Sequence, residues 1–167
     1  RFADVVTEYL QYQVRAGADV VQLFDTYAGV LSPADFREFV LPLHQRILRD
    51  VSVPTIVFVR NPGGILGLLK ETGADVVSLD WTVDIERARL QLGTTPVQGN
   101  LDPSYLRGSP ELVRRKTREV IEAAGSRGHI LNLGHGIHKD TPVENARAFV
   151  ETAKRYTRES PQGAVKQ

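Results

Sequence analysis

Helical spacing of apolar residues gives way five times along this chain to a short apolar run, and that alternation predicts the fold. Residues 2–16 place Phe2, Val5, Val6, Tyr9, Gln13 and Ala16 on one helical face. Gly17 ends that helix, and Val20, Val21, Leu23 and Phe24 then read as a buried strand. Ser32-Pro33-Ala34-Asp35 is a helix start: Ser as N-cap, Pro at the first helical position, a carboxylate near the positive end of the dipole. The helix it opens carries Phe36, Phe39, Val40, Leu43, Ile47 and Leu48 inward, with a kink predicted at Pro42. Further strands are predicted at 55–59, 76–79, about 96–98 and 130–133, with a short helix at 64–72 and another near 83–92 between them.

Ser109-Pro110 opens a strong helix that buries Leu112, Val113, Val120, Ile121 and Ala124 and stops at Gly125. Thr141-Pro142-Val143-Glu144 has the form of a capping box before a helix through Ala146, Phe149, Val150, Ala153 and Tyr156. Residues 1–158 form one domain in this reading, and 159–167 form a polar, frayed tail.

Strands of four to six residues, nearly apolar on both faces and separated by helices, require right-handed parallel crossovers. The fold class is therefore α/β. Five strands fit an open doubly wound sheet or part of a closed (β/α)8 barrel, and periodicity does not separate the two. In both, the site lies just past the carboxyl ends of the strands.

Composition narrows the chemistry. The chain has 167 residues, 41% hydrophobic and 25% charged, which suits one globular domain. With no cysteine there are no disulfides, thiolate nucleophiles or Cys-held metals. A net charge of +1 without a basic run argues against a nucleic-acid partner. Neither a membrane span nor a secretory leader is visible, so the expectation is a soluble cytoplasmic protein. The chain starts at Arg1 and contains no Met, so we expect a piece of a longer protein.

The strand ends carry Asp25-Thr26-Tyr27, Arg60-Asn61, Asp80-Trp81-Thr82, Gly99-Asn100-Leu101-Asp102 and Asn132-Leu133-Gly134-His135-Gly136. Any one of these could simply cap the next helix. Their repetition, with Trp81 beside Asp80 and His135 between two glycines, points instead to a pocket. His135, His138 and Asp140 lack the spacing of a metal site, the G-x-S-x-G turn of a hydrolase is absent, and Gly63-Gly64 reads as a plain turn. His44 and His129 fall where surface or boundary residues are expected, and no role is assigned to either.

Four motifs in order carry a resemblance: 21–29 (VQLFDTYAG), 73–82 (GADVVSLDWT), 97–103 (VQGNLDP) and 132–137 (NLGHGI). Over residues 1 to about 158 the chain resembles the uroporphyrinogen decarboxylase family. The resemblance implies a (β/α)8 barrel, homodimeric, in haem and porphyrin biosynthesis. The family removes the four acetate carboxyl groups of uroporphyrinogen without cofactor or metal. Such a barrel needs about 250 residues, so the chain would be its C-terminal half, an incomplete barrel of about five β/α units. The family's arginine pair, pyrrole-binding aspartate and pocket tyrosine would lie in the missing N-terminal half. Thr26 matches a hydroxyl that binds a substrate carboxylate, and His135 matches a histidine that binds a propionate and orients the macrocycle. Phe24 is expected to form an apolar wall, and Arg60 is our own candidate for a further carboxylate partner.

Two other readings are carried forward. A sister group of the same fold transfers methyl groups to corrinoid proteins or thiols with zinc held by His and Cys, and the absence of Cys argues against it. Alternatively, the 167-residue piece is a non-catalytic assembly partner, since part of a barrel has open sheet edges and an uncovered lumen.

Overall fold

The computed structural model describes residues 1–159. Its strands are β1 (Val21–Phe24), β2 (Thr55–Phe58), β3 (Val76–Ser78), β4 (Val97–Leu101) and β5 (His129–Leu133). They form a single sheet in the order β1-β2-β3-β4-β5, every neighbouring pair parallel. Sequential order settles what periodicity left open. A doubly wound sheet reverses direction at a switch point, whereas here each crossover adds the next strand on the same side, as in a barrel wall. The helices are α1 (Phe2–Arg15), α2 (Pro33–Asp35), α3 (Leu41–Arg49), α4 (Leu66–Leu69), α5 (Ile85–Leu92), α6 (Pro110–Ala124) and α7 (Val143–Glu159). The expected tail falls, beyond Glu159, outside the described residues.

The two faces of the sheet have different chemistry. Val21, Leu23, Val57, Val77, Leu79 and Val97 face the helices and share one core with Phe36, Leu69, Ala88 and others. Each such side chain contributes about 1.5–3 kcal/mol by leaving water. On the opposite face Gln98 donates from Nε2 to Ser78 Oγ at 3.0 Å and to Gln22 Oε1 at 3.1 Å. Strands β1 and β4 are three spacings apart, roughly 14 Å in a flat sheet. A direct bond between their side chains therefore requires a strongly curved sheet, with this polar layer on its concave side. The concave face is mixed, with Phe24, Ile56, Phe58 and Val76 lying beside Gln22, Ser78 and Gln98. Strand β2 is thus apolar on both faces as expected, while β1, β3 and β4 each carry a polar side chain inside; β4 continues to Leu101, beyond the predicted end at 98.

Two helices turn differently from the prediction. In α1 the buried residues are Ala3 and Leu10, with Val6 and Val14 packed beside them, while Phe2, Val5, Tyr9 and Tyr12 are exposed. The helix has two apolar stripes, and the one of smaller side chains faces the core. Between α2 and α3 the chain makes a π-helical turn, Phe36–Val40, in place of a kink at Pro42. Phe39 and Leu43 consequently point outward, while Leu41 and His44 are buried. The predicted helix at 64–72 is a 3-10 turn, the four residues of α4 and a second 3-10 turn.

Capping mostly follows the sequence. Ser32 accepts from the Asp35 amide, Asp84 from Arg87, and Ser109 from Leu112, and Gly125 closes α6. Thr141 does not cap. Its hydroxyl is buried without a partner, and the helix starts one residue later, with the Pro142 carbonyl accepting from Asn145 and Ala146.

Candidate functional site

Strand parity puts Phe24 and Phe58 on the concave face. Phe24 lies two residues beyond Gln22, and Phe58 is in register with both Phe24 and Ser78. Their rings meet at 5.8 Å, tilted by 58°. Phe58 stacks on His135, centroids 5.8 Å apart and planes 27° apart, and His135 stacks on Trp81 at 5.8 Å and 14°. The guanidinium carbon of Arg60 stands 5.7 Å from the Trp81 ring centroid. Phe24, Phe58, His135, Trp81 and Arg60 therefore form one continuous series across the tips of β1, β2, β3 and β5.

Backbone packing holds these loops together. Gly134 has no room for a side chain: a Cβ there would clash with the Trp81 amide nitrogen and stand 2.9 Å from the Asp80 carbonyl carbon. This glycine lets the loop after β5 reach past β4 to the loop after β3. Gly29 is equally confined, its hypothetical Cβ lying against the Arg60 carbonyl and 2.7 Å from that of Asn61. The β1 and β2 loops are thereby joined.

Asp80 is fully buried and organises the two middle loops. Its carboxylate accepts from the Asn61 amide at 2.7 Å, the Thr82 amide at 3.0 Å and the Thr82 hydroxyl at 2.6 Å. Asn61 has a left-handed backbone, φ 51°, which Asn tolerates better than most residues. Asn100 donates to the carbonyls of Asp80 at 2.9 Å and Val83 at 2.6 Å, tying β4 to the same turn. The Asp80 carboxylate, the Asn61 backbone and the Asn100 Nδ2 group are thus framework, each bonded within the protein.

Other polar groups at the rim are not satisfied in this way. Among the described residues, the Thr26 hydroxyl, both His135 ring nitrogens and the Arg60 guanidinium have no hydrogen bond or ion pair to the protein. The structure brings Phe24, His135 and Arg60 into the aromatic series. Thr26 is half-buried on the turn two residues beyond Phe24, outside the stack. His138 and Asp140 do not join His135: His138 lies near Ser104, and Asp140 pairs with Arg107 at 2.7 Å. No group of three His, Cys, Asp or Glu side chains suited to a metal occurs among the described residues.

Sequence reasoning missed Phe58 as a wall residue and left Trp81 without a role. Nothing in the sequence marked the first, which depends on register with Phe24, and a place directly after the β3 tip was the signal for the second. His44 is corrected, while His129 is the half-buried boundary residue that was expected. His44 is 3% exposed, with Nε2 2.9 Å from Asp25 Oδ2. His129 opens β5 and meets the Gly99 carbonyl at 2.6 Å, and burial lowers its pKa below the ordinary histidine value. A cavity of about 280 Å³ lies between the tips of β3 and β4 and helix α6, lined by Trp81, Asn100, Tyr105 and Lys116 among others. It is smaller than the 300–1,000 Å³ of ordinary ligand sites, so the concave rim is the better candidate.

Comparison with known proteins places these features in a family. The model of the family described as Uroporphyrinogen decarboxylase (URO-D) matches residues 1–156. The uroporphyrinogen decarboxylases of Synechococcus sp. (strain JA-2-3B'a(2-13)) and Gloeobacter violaceus are each 48% identical to this chain. The alignments cover 92% of it and 46% of either relative. The chain therefore spans about half the length of the curated relatives it matches. Among solved structures, a methyltransferase from Methanosarcina mazei superimposes with a TM-score of 0.84 at 25% identity, over 92% of this chain and 47% of that one. A B12-independent methionine synthase from Shewanella sp. W3-18-1 shares the fold, with a TM-score of 0.74 at 14% identity, over 93% of this chain and 54% of that one. Because the family match extends over nearly every described residue and includes all five strand tips, the chain belongs to the uroporphyrinogen decarboxylase family.

Proposed function

We propose that the full-length protein carrying this chain is a uroporphyrinogen decarboxylase, that the chain is the later part of its barrel, and that Thr26, His135 and Arg60 bind substrate carboxylates. One observation carries the site assignment. Three polar groups without protein partners stand beside an aromatic wall at the carboxyl ends of parallel strands, where barrel enzymes keep their sites. A substrate with eight carboxylates supplies the missing partners.

Losing carbon dioxide from an acetate arm breaks the bond between the methylene and the carboxyl carbon, and the electron pair must go somewhere. Protonating the pyrrole ring at the adjacent position turns the ring into that sink. The methylene then takes up a proton, the ring gives one back, and a methyl group replaces the acetate. The counter-charge to the cationic ring belongs to the part of the barrel outside this chain. Within it, Arg60 offers a planar, charged fork to a carboxylate, His135 an imidazole edge, and Thr26 an O–H donor. Phe24 and Phe58 displace water from the macrocycle and strengthen each of these attractions by lowering the local dielectric.

Two further features belong to this proposal. A homodimer is supported by the exposed stripe Phe2, Val5, Tyr9 and Tyr12 on α1, a surface suited to burial against another subunit. A cytoplasmic location agrees with the finding that no helix among the described residues is long and apolar enough to cross a membrane. Methyl transfer is the second reading, favoured by the Methanosarcina mazei likeness, but at 25% identity against 48% it is the weaker one.

The test is formation of coproporphyrinogen from uroporphyrinogen by the full-length protein, by this chain alone, and by this chain mixed with the remainder of the barrel. Activity is expected in the first and third. Turnover by the chain alone would contradict the division of groups, and no turnover in any of them would overturn the function.

A further inference from the structure

Helix register around the π turn leads to a residue that the function above does not use. In an unbroken α-helix from Phe36 the inward positions would be 39, 40, 43, 44 and 47, with 43 near the middle of the face and 44 at its edge. The observed buried positions step by five from Phe36 to Leu41 and then run through His44, Ile47 and Leu48. One inserted residue in the π turn has moved His44 inward and left Leu43 exposed. The apolar residue that periodicity assigns to the interior is replaced there by an imidazole.

Inside, His44 has one polar partner. Its Nε2 is 2.9 Å from Asp25 Oδ2. A carboxylate only accepts, so Nε2 carries the proton and donates it. The ring packs edge-on against Phe36, centroids 5.7 Å apart, and Nδ1 is buried with no partner. A buried histidine with one nitrogen unpaired is costly, and leucine would fill the space without that cost. The Asp25 contact is what the structure gains.

Asp25 is where β1 ends and the functional turn begins. Its amide donates to the Phe58 carbonyl at 2.9 Å, the last bond of the β1–β2 ladder, and its carbonyl accepts from the Ala28 amide at 3.3 Å, closing the turn that carries Thr26. We infer that His44 is a positioning residue: brought inward by the π turn, it holds the Asp25 carboxylate and thereby fixes the turn that presents Thr26 to the substrate. This rests on the reading of Thr26 as a substrate contact.

The experiment compares His44→Leu, His44→Gln and Asp25→Ala in the full-length protein, with steady-state kinetics on uroporphyrinogen and hydrogen exchange of the amides of residues 26–28. His44→Leu keeps the volume and removes the donor. It should lower kcat by about 10-fold or more, as a displaced contact group does, and speed exchange at 26–28 while leaving β3 and β4 protected. Asp25→Ala breaks the same bond from the half-exposed side and should do the same. His44→Gln restores a donor and should return both readouts to within about threefold of the parent. Loss of stability with kcat per folded molecule and exchange at 26–28 unchanged would overturn the inference, as would a folded His44→Gln that fails to restore them. If the parent protein does not turn over porphyrinogen, the functional reading fails, and the exchange measurement still decides whether His44 positions the turn.

Discussion

His135 and Trp81 stack with centroids 5.8 Å apart and planes 14° apart, although they follow β5 and β3, strands that are not neighbours. An aromatic pair of this kind is worth about 0.5–1.5 kcal/mol beyond its buried area. Trp81→Leu should release the imidazole and raise KM for uroporphyrinogen by about threefold to 10-fold, while Trp81→Phe should keep most of the effect. Unchanged steady-state kinetics in Trp81→Leu would show that the stack does not orient His135.

Gly134 makes that stack possible by letting two loop backbones touch. Gly134→Ala adds one methyl group against backbone atoms of Asp80 and Trp81, which cannot rotate aside as a side chain would. We expect a folded protein with a displaced 134–136 loop and activity reduced by about 10-fold to 100-fold. Gly136→Ala is the control, since a Cβ there meets nothing within 4 Å. Equal activity in the two variants would contradict the assigned packing.

Asp80 accepts three hydrogen bonds while fully buried, so Asp80→Ala strands the Asn61 amide and both Thr82 donors. Each stranded donor costs about 1–3 kcal/mol when water cannot reach it. Because Asn61 and Thr82 are exposed residues that water reaches in part, a loss of about 1–3 kcal/mol is expected in urea unfolding. A loss below about 1 kcal/mol would mean that solvent replaces the carboxylate.

His129 supplies a pH dependence of known sign. Burial, the largest influence, lowers its pKa, as does the nearby Arg89, while its bond to the Gly99 carbonyl opposes them. In the pH range below the ordinary histidine value of about 6.5 the unfolded chain binds more protons than the folded one. Stability should therefore be full above that value and decline as pH falls through the folded pKa. Unfolding free energy measured between about pH 7.5 and 5 should slope more gently in His129→Gln than in the parent. An equal slope would remove His129 as the cause.

The strands were legible in the sequence because residues of both faces are apolar, as in Ile56, Val57, Phe58 and Val59, and such a continuous run marks a strand covered on both sides. The order of the strands was not, since periodicity carries no information about which neighbours pair. Within the site, Phe24, Arg60 and His135 could be reached from the rule that barrel chemistry lies past strand ends. Phe58 required the register with Phe24, a tertiary fact. His44 was hidden by the π turn, because one inserted residue turns the helix so that His44 and not Leu43 faces in, while Ile47 and Leu48 stay buried as expected. Thr141 misled in the opposite way: the spacing of a capping box is present, but the helix begins after Pro142.

The most direct test is a crystal structure of the full-length protein with coproporphyrinogen bound under reducing conditions. The account predicts the macrocycle over Phe24 and Phe58, with carboxylate oxygens within hydrogen-bonding distance of Arg60, His135 and Thr26. A tetrapyrrole seated away from the tips of β1, β2 and β5, or one leaving those three side chains in contact with solvent alone, would contradict it.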